Sequence, residues 1–423
     1  MVLRCPLPRR RCSPQLRPGP PDADFRCFWL ADAAGQAGAA VTLVALPLVA
    51  LGVLHASALE AGLLVVLEYA AFLLIGLPAG AWVDRTRRRP VLLAGAVGRA
   101  LLLGSVPVAY WLDTLTLAHL YTVAFGVSVC SVFFDVAHQS YLPSLVAADR
   151  LVEANVRLES TRSLVQVAGP GVGGALVAVV SAPAAVAVDA VGFVVSALSL
   201  SRIGRAEPRP SADPGAGLRA EIAEGLRWVF GHRLLRPLTL AAAISNLCGT
   251  VGAAMLMVLL NRELGLSPLL CGLVFTAEAL GDLLGGLLTG RLVARFGQGR
   301  AMCASVVTSG LLWLAAVPLF QADGRFAVAV ALQGLGWTAF MTFKINAVAV
   351  RQRLCPERLL GRMNASVRFV VWGAMPVGAL IGSVLGQALG ARAALWTGAV
   401  GELLAVVPML LSPLRNSDDG ELR

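Results

Sequence analysis

Twelve apolar runs, each long enough to cross a bilayer, alternate with polar gaps along the chain. They fall at about 27–53, 59–82, 91–112, 117–139, 160–181 and 183–203, then at about 236–260, 267–293, 300–320, 326–349, 364–388 and 393–412. A membrane-crossing helix needs roughly 20 apolar residues, so the pattern predicts an all-α membrane protein of twelve transmembrane helices in two six-helix halves. Between the halves, 204–235 carries Pro208, Pro210 and Pro214 and then an amphipathic run from Leu218 to Phe230, which predicts a linker holding one helix outside the bilayer. The first 25 residues place Arg4, Arg9, Arg10, Arg11 and Arg17 among prolines without an apolar core; this reads as a disordered cytoplasmic tail and not as a cleavable signal peptide. The expected organisation is a tail (1–25), a first half (26–203), a linker (204–235), a second half (236–412) and a second tail (413–423).

Composition agrees: 57% of the 423 residues are hydrophobic and only 14% charged, which excludes an ordinary water-soluble globular protein. The formal net charge is +10, and its placement carries the information. The tail, the gaps at 83–90, 140–159, 204–235, 291–300 and 350–363, and the C-terminus hold most of the arginines, whereas the opposite gaps hold only Arg262, Arg325 and Arg392. Because Lys and Arg concentrate on the cytoplasmic side, both termini are expected to be cytoplasmic. A nucleic-acid partner would require the arginines on one folded surface interleaved with stacking aromatics, and that arrangement is not evident.

Several soluble chemistries have no foothold. Lys344 is the only lysine and is followed by Ile345, so no phosphate-cradling G-x-x-x-x-G-K-[ST] loop exists. A G-x-G-x-x-G match at Gly169 to Gly174 lies inside an apolar helix-length run with no preceding strand, where no strand-to-helix turn can carry a pyrophosphate. The eight cysteines, at 5, 12, 27, 130, 248, 271, 303 and 355, form no C-x-x-C pair, and the four histidines are scattered. No disulfide framework, metal site or cofactor is expected. Nor is there a nucleophile, base and oxyanion set that would make an enzyme.

Sliding the chain by 210 residues superposes Ser57, Leu59, Gly62, Leu63, Glu68, Leu73, Leu74, Gly76, Leu77, Gly80, Val83 and Arg85 on identical residues between 267 and 295. Asp149-Arg150-Leu151 likewise falls near Glu357-Arg358-Leu359, and Pro170 near Pro376. The chain is thus two homologous halves. Parallel repeats about an axis along the membrane normal are the construction of an alternating-access carrier, with substrate held between the halves near the bilayer midplane.

The motifs carry a resemblance. Gly80-Ala81-Trp82-Val83-Asp84-Arg85-Thr86-Arg87-Arg88-Arg89 is similar to the signature between spans 2 and 3 of the major facilitator superfamily, with a second-half echo at Gly290-Arg291-Leu292-Val293-Ala294-Arg295-Phe296-Gly297. Trp82 and Arg87 depart from the usual Leu and Gly, and Ala294 removes the second acid. The resemblance implies that Asp84, Arg85 and Arg88, with Gly80, Gly290 and Arg295, form a cytoplasmic latch. Gly169-Pro170-Gly171-Val172-Gly173-Gly174 resembles the end of the motif of drug antiporters, although Val165 stands where an upstream glycine is expected. It implies that spans 5 and 8, and spans 2 and 11, meet across the halves through small residues. Val41 to Pro47, Phe133 to Ala137 and Tyr141-Leu142-Pro143 resemble the branch of macrolide and enterobactin exporters. That implies export of an amphiphilic drug, antibiotic or siderophore, driven by protons. Metabolite uptake by the same fold, or a membrane receptor that transports nothing, are the other readings.

An ionised side chain near the bilayer centre costs roughly 2.5–3.5 kcal/mol on insertion scales, so charges within spans are the candidate site. Glu68 and Glu278 occupy repeat-related mid-span positions, from which both could face a central cavity and exchange protons or meet a cation. Arg99 is expected to be a counter-ion for Glu68 or Asp32. Asp32, Asp135, His138 and Gln139 lie toward the cytoplasmic ends of spans 1 and 4. Asn246 and Lys344, with Asn346, are polar cavity candidates, and Phe72, Phe275, Trp337 and Phe340 could stack on a drug. Asp189, Asp282 and Glu402 have no assignable partner. The near-exclusive use of arginine, with abundant Ala, Gly and Val, points to a GC-rich bacterial genome. The expectation is therefore a bacterial inner-membrane protein that meets a small-molecule substrate, protons and lipid, as a monomer and without nucleic acid.

Overall fold

The computed structural model describes residues 23–147, 150–204, 207, 218–356 and 359–411. The tail up to residue 22, the linker prolines, Asp149, Glu357, Arg358 and the end from residue 412 lie outside the described residues, as does the side chain of Asp84. Among the described residues there are fourteen α-helices and no strand: α1 Ala23–Leu48, α2 Ala58–Asp84, α3 Arg88–Trp111, α4 Leu117–Leu145, α5 Leu151–Val180, α6 Ala182–Ser201, α7 Leu218–Gly231, α8 Leu235–Met257, α9 Pro268–Phe296, α10 Gln298–Ala316, α11 Arg325–Leu354, α12 Leu360–Leu389, α13 Ala391–Leu404 and α14 Val407–Leu410. Twelve segments are long and apolar enough to span a membrane, α13 and α14 together forming the last. Backbone polar groups have no water to bond inside a bilayer, so helices that satisfy them internally are the form such runs take.

Several helices outrun their apolar windows. The apolar run of span 5 starts near residue 160, yet α5 starts at Leu151, because its first turns are stabilised as a water-exposed helix. There Arg157 Nη2 lies 2.9 Å from Glu153 Oε1, four residues away on the same face. At about 1.5 Å per residue, the 30 residues of α5, α11 and α12 exceed the roughly 30 Å hydrocarbon core, so their ends protrude toward the arginine-rich gaps.

The repeat is visible in local geometry. Spans 1 and 7 both close in a π-helical turn, Val49–Val53 and Val258–Glu263. The two turns share a bond pattern shifted by 210 residues: Leu54 N–H donates to Val49 O and Ala56 to Ala50, as Leu264 does to Leu259 and Leu266 to Leu260. His55 and Gly265, also repeat-related, both take positive φ of 51° and 61°. Ser57 and Ser267 then cap α2 and α9; Ser57 forms a capping box with Glu60, whose Oε2 accepts from Ser57 N at 2.7 Å.

Helices α1, α3, α4 and α6 pack with α2 and α5 in one half, and α8, α10, α11 and α13 with α9 and α12 in the other. Across the halves α2 lies along α12 and α5 along α9, the two pairings implied by the family resemblance. The linker helix α7 packs on α12, with Gly225 against the backbone of Arg362, Val229 fully buried, and an Arg362–Glu224 ion pair. Between α7 and α8, His232 Nδ1 accepts from Leu234 N and Leu235 N at 3.2 and 3.4 Å. Partial burial, which disfavours the charged ring, moves the His232 pKa below its ordinary value.

Helices apolar on all sides cannot be oriented by hydrophobicity, and shape decides how they meet. A Cβ on Gly281 would collide with the carbonyl of Gly334, so α9 and α11 touch backbone to backbone there, whereas nothing lies near Gly286. Gly281→Leu is expected to destabilise the protein by about 1–3 kcal/mol, the typical cost of overpacking. Gly286→Leu should stay within about 0.5 kcal/mol of the parent. Thermal unfolding of the two variants in detergent checks this; equal shifts would mean that α9 and α11 do not pack as described.

Candidate functional site

A cavity of about 320 Å³ lies between the halves, lined by residues of both, several of them, such as Leu51, Val258, Phe320 and Leu395, from the arginine-poor ends of their helices. Glu68 of α2 and Glu278 of α9 both open onto it, with Asn246 of α8. The two carboxylates related by the repeat are therefore brought together. No lysine, arginine or histidine is among the described residues that line it.

Each wall is held by identifiable contacts. Ser128 Oγ of α4 donates to the Glu68 backbone carbonyl at 2.5 Å, fixing the backbone that carries the carboxylate. Gln333 Nε2 of α11 donates to Glu278 Oε1 at 3.1 Å, and Trp313 Nε1 to the Gln333 carbonyl at 3.4 Å. Trp313, Trp337 and Phe340 form a cluster with ring centroids 5.3–6.1 Å apart; they line the cavity with Phe275 and Phe320. Behind it, the fully buried Glu402 of α13 has partners after all: Ser245 Oγ lies 2.6 and 2.5 Å from its two oxygens and Ser309 Oγ 3.2 Å from one.

The other charged candidates lie elsewhere. Arg99 is buried inside the first half, its guanidinium 4.1 Å from the ring centres of both Phe134 and Phe193. Asp135, Asp189 and Asp32 act on it electrostatically, while Glu68 lines the cavity. Asp32 accepts from Gln36 Nε2 at 2.6 Å and lies 3.1 Å from His138 Nε2. Lys344 is exposed on α11, with Asp282 of α9 within electrostatic reach. Phe72 packs edge-on against Trp372 of α12, centroids 4.8 Å apart, and Arg368 stacks on Trp372 at 4.3 Å. Arg368 and Gln333 carry the same sequence signal as Arg99, a polar group inside an apolar span.

The glycine-proline motif of α5 serves two contacts at once. Gly169 and Gly173, four residues apart, lie against Ala40 and Val41 of α1, while Pro170 and Gly174 face α9. There the Pro170 carbonyl meets Gly272, the Pro268 carbonyl meets Gly174, and Gly171 N–H donates to Thr276 Oγ1 at 3.1 Å. Leu59 N–H donates to Gln387 Oε1 at 3.2 Å and Arg262 Nη1 to Ala56 O at 3.1 Å. These inter-half contacts occupy the arginine-poor end. Toward the arginine-rich end, Gly76, Gly80, Gly286 and Gly290 have nothing within 4 Å of a would-be Cβ.

At the arginine-rich end, Arg85 terminates α2 and Arg295 lies in the last turn of α9. Arg88 opens α3, where Glu207 accepts from the backbone N–H of Arg88 and Arg89 at 2.8 and 3.2 Å and lies 3.5 Å from Arg88 Nη1. A carboxylate at a helix N-terminus answers both its free N–H groups and its dipole. This partner comes from the linker, which the motif alone did not suggest.

The family model described as transmembrane secretion effector matches residues 21–423. The chain belongs to that family. It is a transporter of the major facilitator superfamily, as the motifs implied. It is 28% identical over 405 residues to "Multidrug efflux pump Tap" of Mycolicibacterium fortuitum, covering 90% of this chain and 94% of that one. It is 24% identical over 367 residues to "Macrolide efflux protein A" of Streptococcus pyogenes, covering 85% and 88%. In fold the transporter resembles a bacterial homologue of the iron transporter ferroportin in an inward-facing state (TM-score 0.75, 20% identity, 92% of this chain and 98% of that one). It also resembles the nucleoside transporter NupG in its D323A form (TM-score 0.74, 11% identity, 92% and 99%).

Cys248 lines the cavity, whereas Cys271 is buried. In variants of the transporter keeping one or the other as sole cysteine, N-ethylmaleimide should modify Cys248 in the folded protein and Cys271 only after denaturation. Intact-mass measurement reads the result; equal protection of both thiols would contradict an open cavity.

Proposed function

We propose that the chain exports an amphiphilic small molecule, a drug, antibiotic or siderophore, from a bacterial cell across the inner membrane in exchange for protons. The observation that carries this reading is the pair of repeat-related carboxylates, Glu68 and Glu278, in one cavity between the two halves. The names of the relatives, a multidrug and a macrolide efflux protein, support efflux. Positive-inside placement of arginine makes the arginine-rich end, with both termini, the cytoplasmic one.

In this reading the working units are residues 26–203 and 236–412, joined by the linker 204–235, in a monomer. The carboxylates take protons when the cavity faces outward. Facing inward they release them, and the cavity with its aromatic wall receives substrate from the cytoplasm or inner leaflet. Rocking occurs about the α5–α9 contact, where backbones meet through small residues, and about the α2–α12 contact. As the cytoplasmic end closes, the motif residues Gly80, Asp84, Arg85 and Arg88 approach the second half near Gly290 and Arg295 and latch it. Arg99, Asp32 and Asp135 form a separate charged cluster that braces the first half, and Lys344 stands at the cytoplasmic mouth.

Accumulation of macrolides, lipophilic cations and siderophores in everted membrane vesicles, with and without a collapsed pH gradient, tests the proposal. At least one class should accumulate only while the gradient stands. Glu68→Gln and Glu278→Gln together should lower that accumulation at least tenfold, about 1.4 kcal/mol or more of lost coupling. Undiminished gradient-driven export by the double variant would sink the carboxylate mechanism.

A further inference from the structure

The two repeat-related carboxylates do not have equivalent surroundings. Glu278 is held by the Gln333 amide and stands beside Trp313, Trp337 and Phe340. The 210-residue shift places Leu103, Val123, Val127 and Cys130 where the second half has Trp313, Gln333, Trp337 and Phe340. The first-half wall around Glu68 is correspondingly aliphatic, built from Leu43, Pro47, Leu51, Ala61 and Val65, with Tyr69 as its aromatic. A carboxyl that only takes and gives a proton needs no aromatic box or amide clamp. A carboxylate that receives an organic cation gains from both, because ring faces attract a desolvated cation and the clamp holds the carboxylate in place.

Resting on the export reading above, we propose that Glu278, oriented by Gln333 and flanked by Trp313, Trp337 and Phe340, is the subsite for the charged centre of a lipophilic organic cation. Glu68 is then left to act without that role. Gln333 is a positioning residue, tied through its own backbone to Trp313. The neighbouring charges are not among the described cavity-lining residues. Asp282, one turn from Glu278, has Lys344 within electrostatic reach, and the Arg368 guanidinium lies over the Trp372 and Phe72 rings. With no basic side chain among the described cavity-lining residues, nothing opposes a bound cation. A volume of about 320 Å³ is at the lower end of the range of roughly 300–1,000 Å³ for small-molecule pockets.

Binding, measured without any gradient, separates this subsite from the export reading. The full-length protein in detergent is titrated with tetraphenylphosphonium and, as a neutral counterpart, triphenylphosphine oxide, and quenching of tryptophan fluorescence is followed. Tetraphenylphosphonium should bind saturably and at least tenfold more tightly than the neutral compound. Glu278→Gln should weaken it about tenfold or more, the scale of a lost charge-assisted contact. Gln333→Leu should weaken it several-fold, whereas Glu68→Gln should change it less than threefold. Glu278→Asp, which keeps the charge, should bind within about threefold of the parent and guards against a folding defect in the Gln variant. Unchanged binding by Glu278→Gln, equal losses at Glu68 and Glu278, or equally tight binding of the neutral compound would overturn the assignment. A protein that binds the cation through Glu278 yet shows no proton-driven export would leave the subsite standing and remove the export mechanism.

Discussion

The reciprocal contact between α5 and α9 governs the arrangement of the halves. The carbonyl of Pro170 rests against Gly272 and that of Pro268 against Gly174. Inside a bilayer there is no hydrophobic gain from pressing one apolar helix onto another, because lipid is as apolar as leucine. Two halves can adhere only where their surfaces fit, and side-chain-free positions let backbones approach. Between α2 and α12 the fit is of small positions against side chains, Gly62 against Ser383 and Gly373 against Leu73.

Duplication explains the frame but not the chemistry placed on it. The π turns, the serine caps and the positive-φ corners recur at a fixed shift, because they shape the backbone and any drift would misdirect a helix. Side chains behind the cavity have diverged. Arg99 stands where the shift places Ser309, so one half is braced by a guanidinium between two rings amid several acids, the other by two hydroxyls on the buried Glu402. Both solutions avoid an isolated charge in a low-dielectric interior, one by pairing and the other by hydrogen bonding.

Helix number, the repeat, the glycine faces and the Glu68–Glu278 pairing were legible because they are properties of one helix or of two related ones. An apolar run announces a span, and an acid within it announces itself. What could not be read is how each helix is turned about its own axis. A span that is apolar on every side carries no periodicity to aim it, and successive residues point about 100° apart. The partners of Arg99, the Gln333 clamp on Glu278 and the serines on Glu402 all depend on that rotation. Glu207 was hidden for a different reason: it reaches α3 from a linker more than a hundred residues away, where no local pattern connects the two. Helix ends were misjudged where charged pairs such as Glu153–Arg157 extend a helix beyond its apolar run.

The decisive measurement is a pair of distances across the halves, by spin-label pulsed dipolar spectroscopy in lipid. One pair sits at the arginine-rich end, on cysteines replacing Arg85 and Asn364, and the other at the opposite end, replacing Thr114 and Ala322; all four side chains are exposed. Lowering the pH to protonate the cavity acids should shorten the first distance while lengthening the second, as two bodies rocking about the α5–α9 and α2–α12 contacts require. Two distances that stay fixed, or that change in the same direction, would contradict alternating access by this protein.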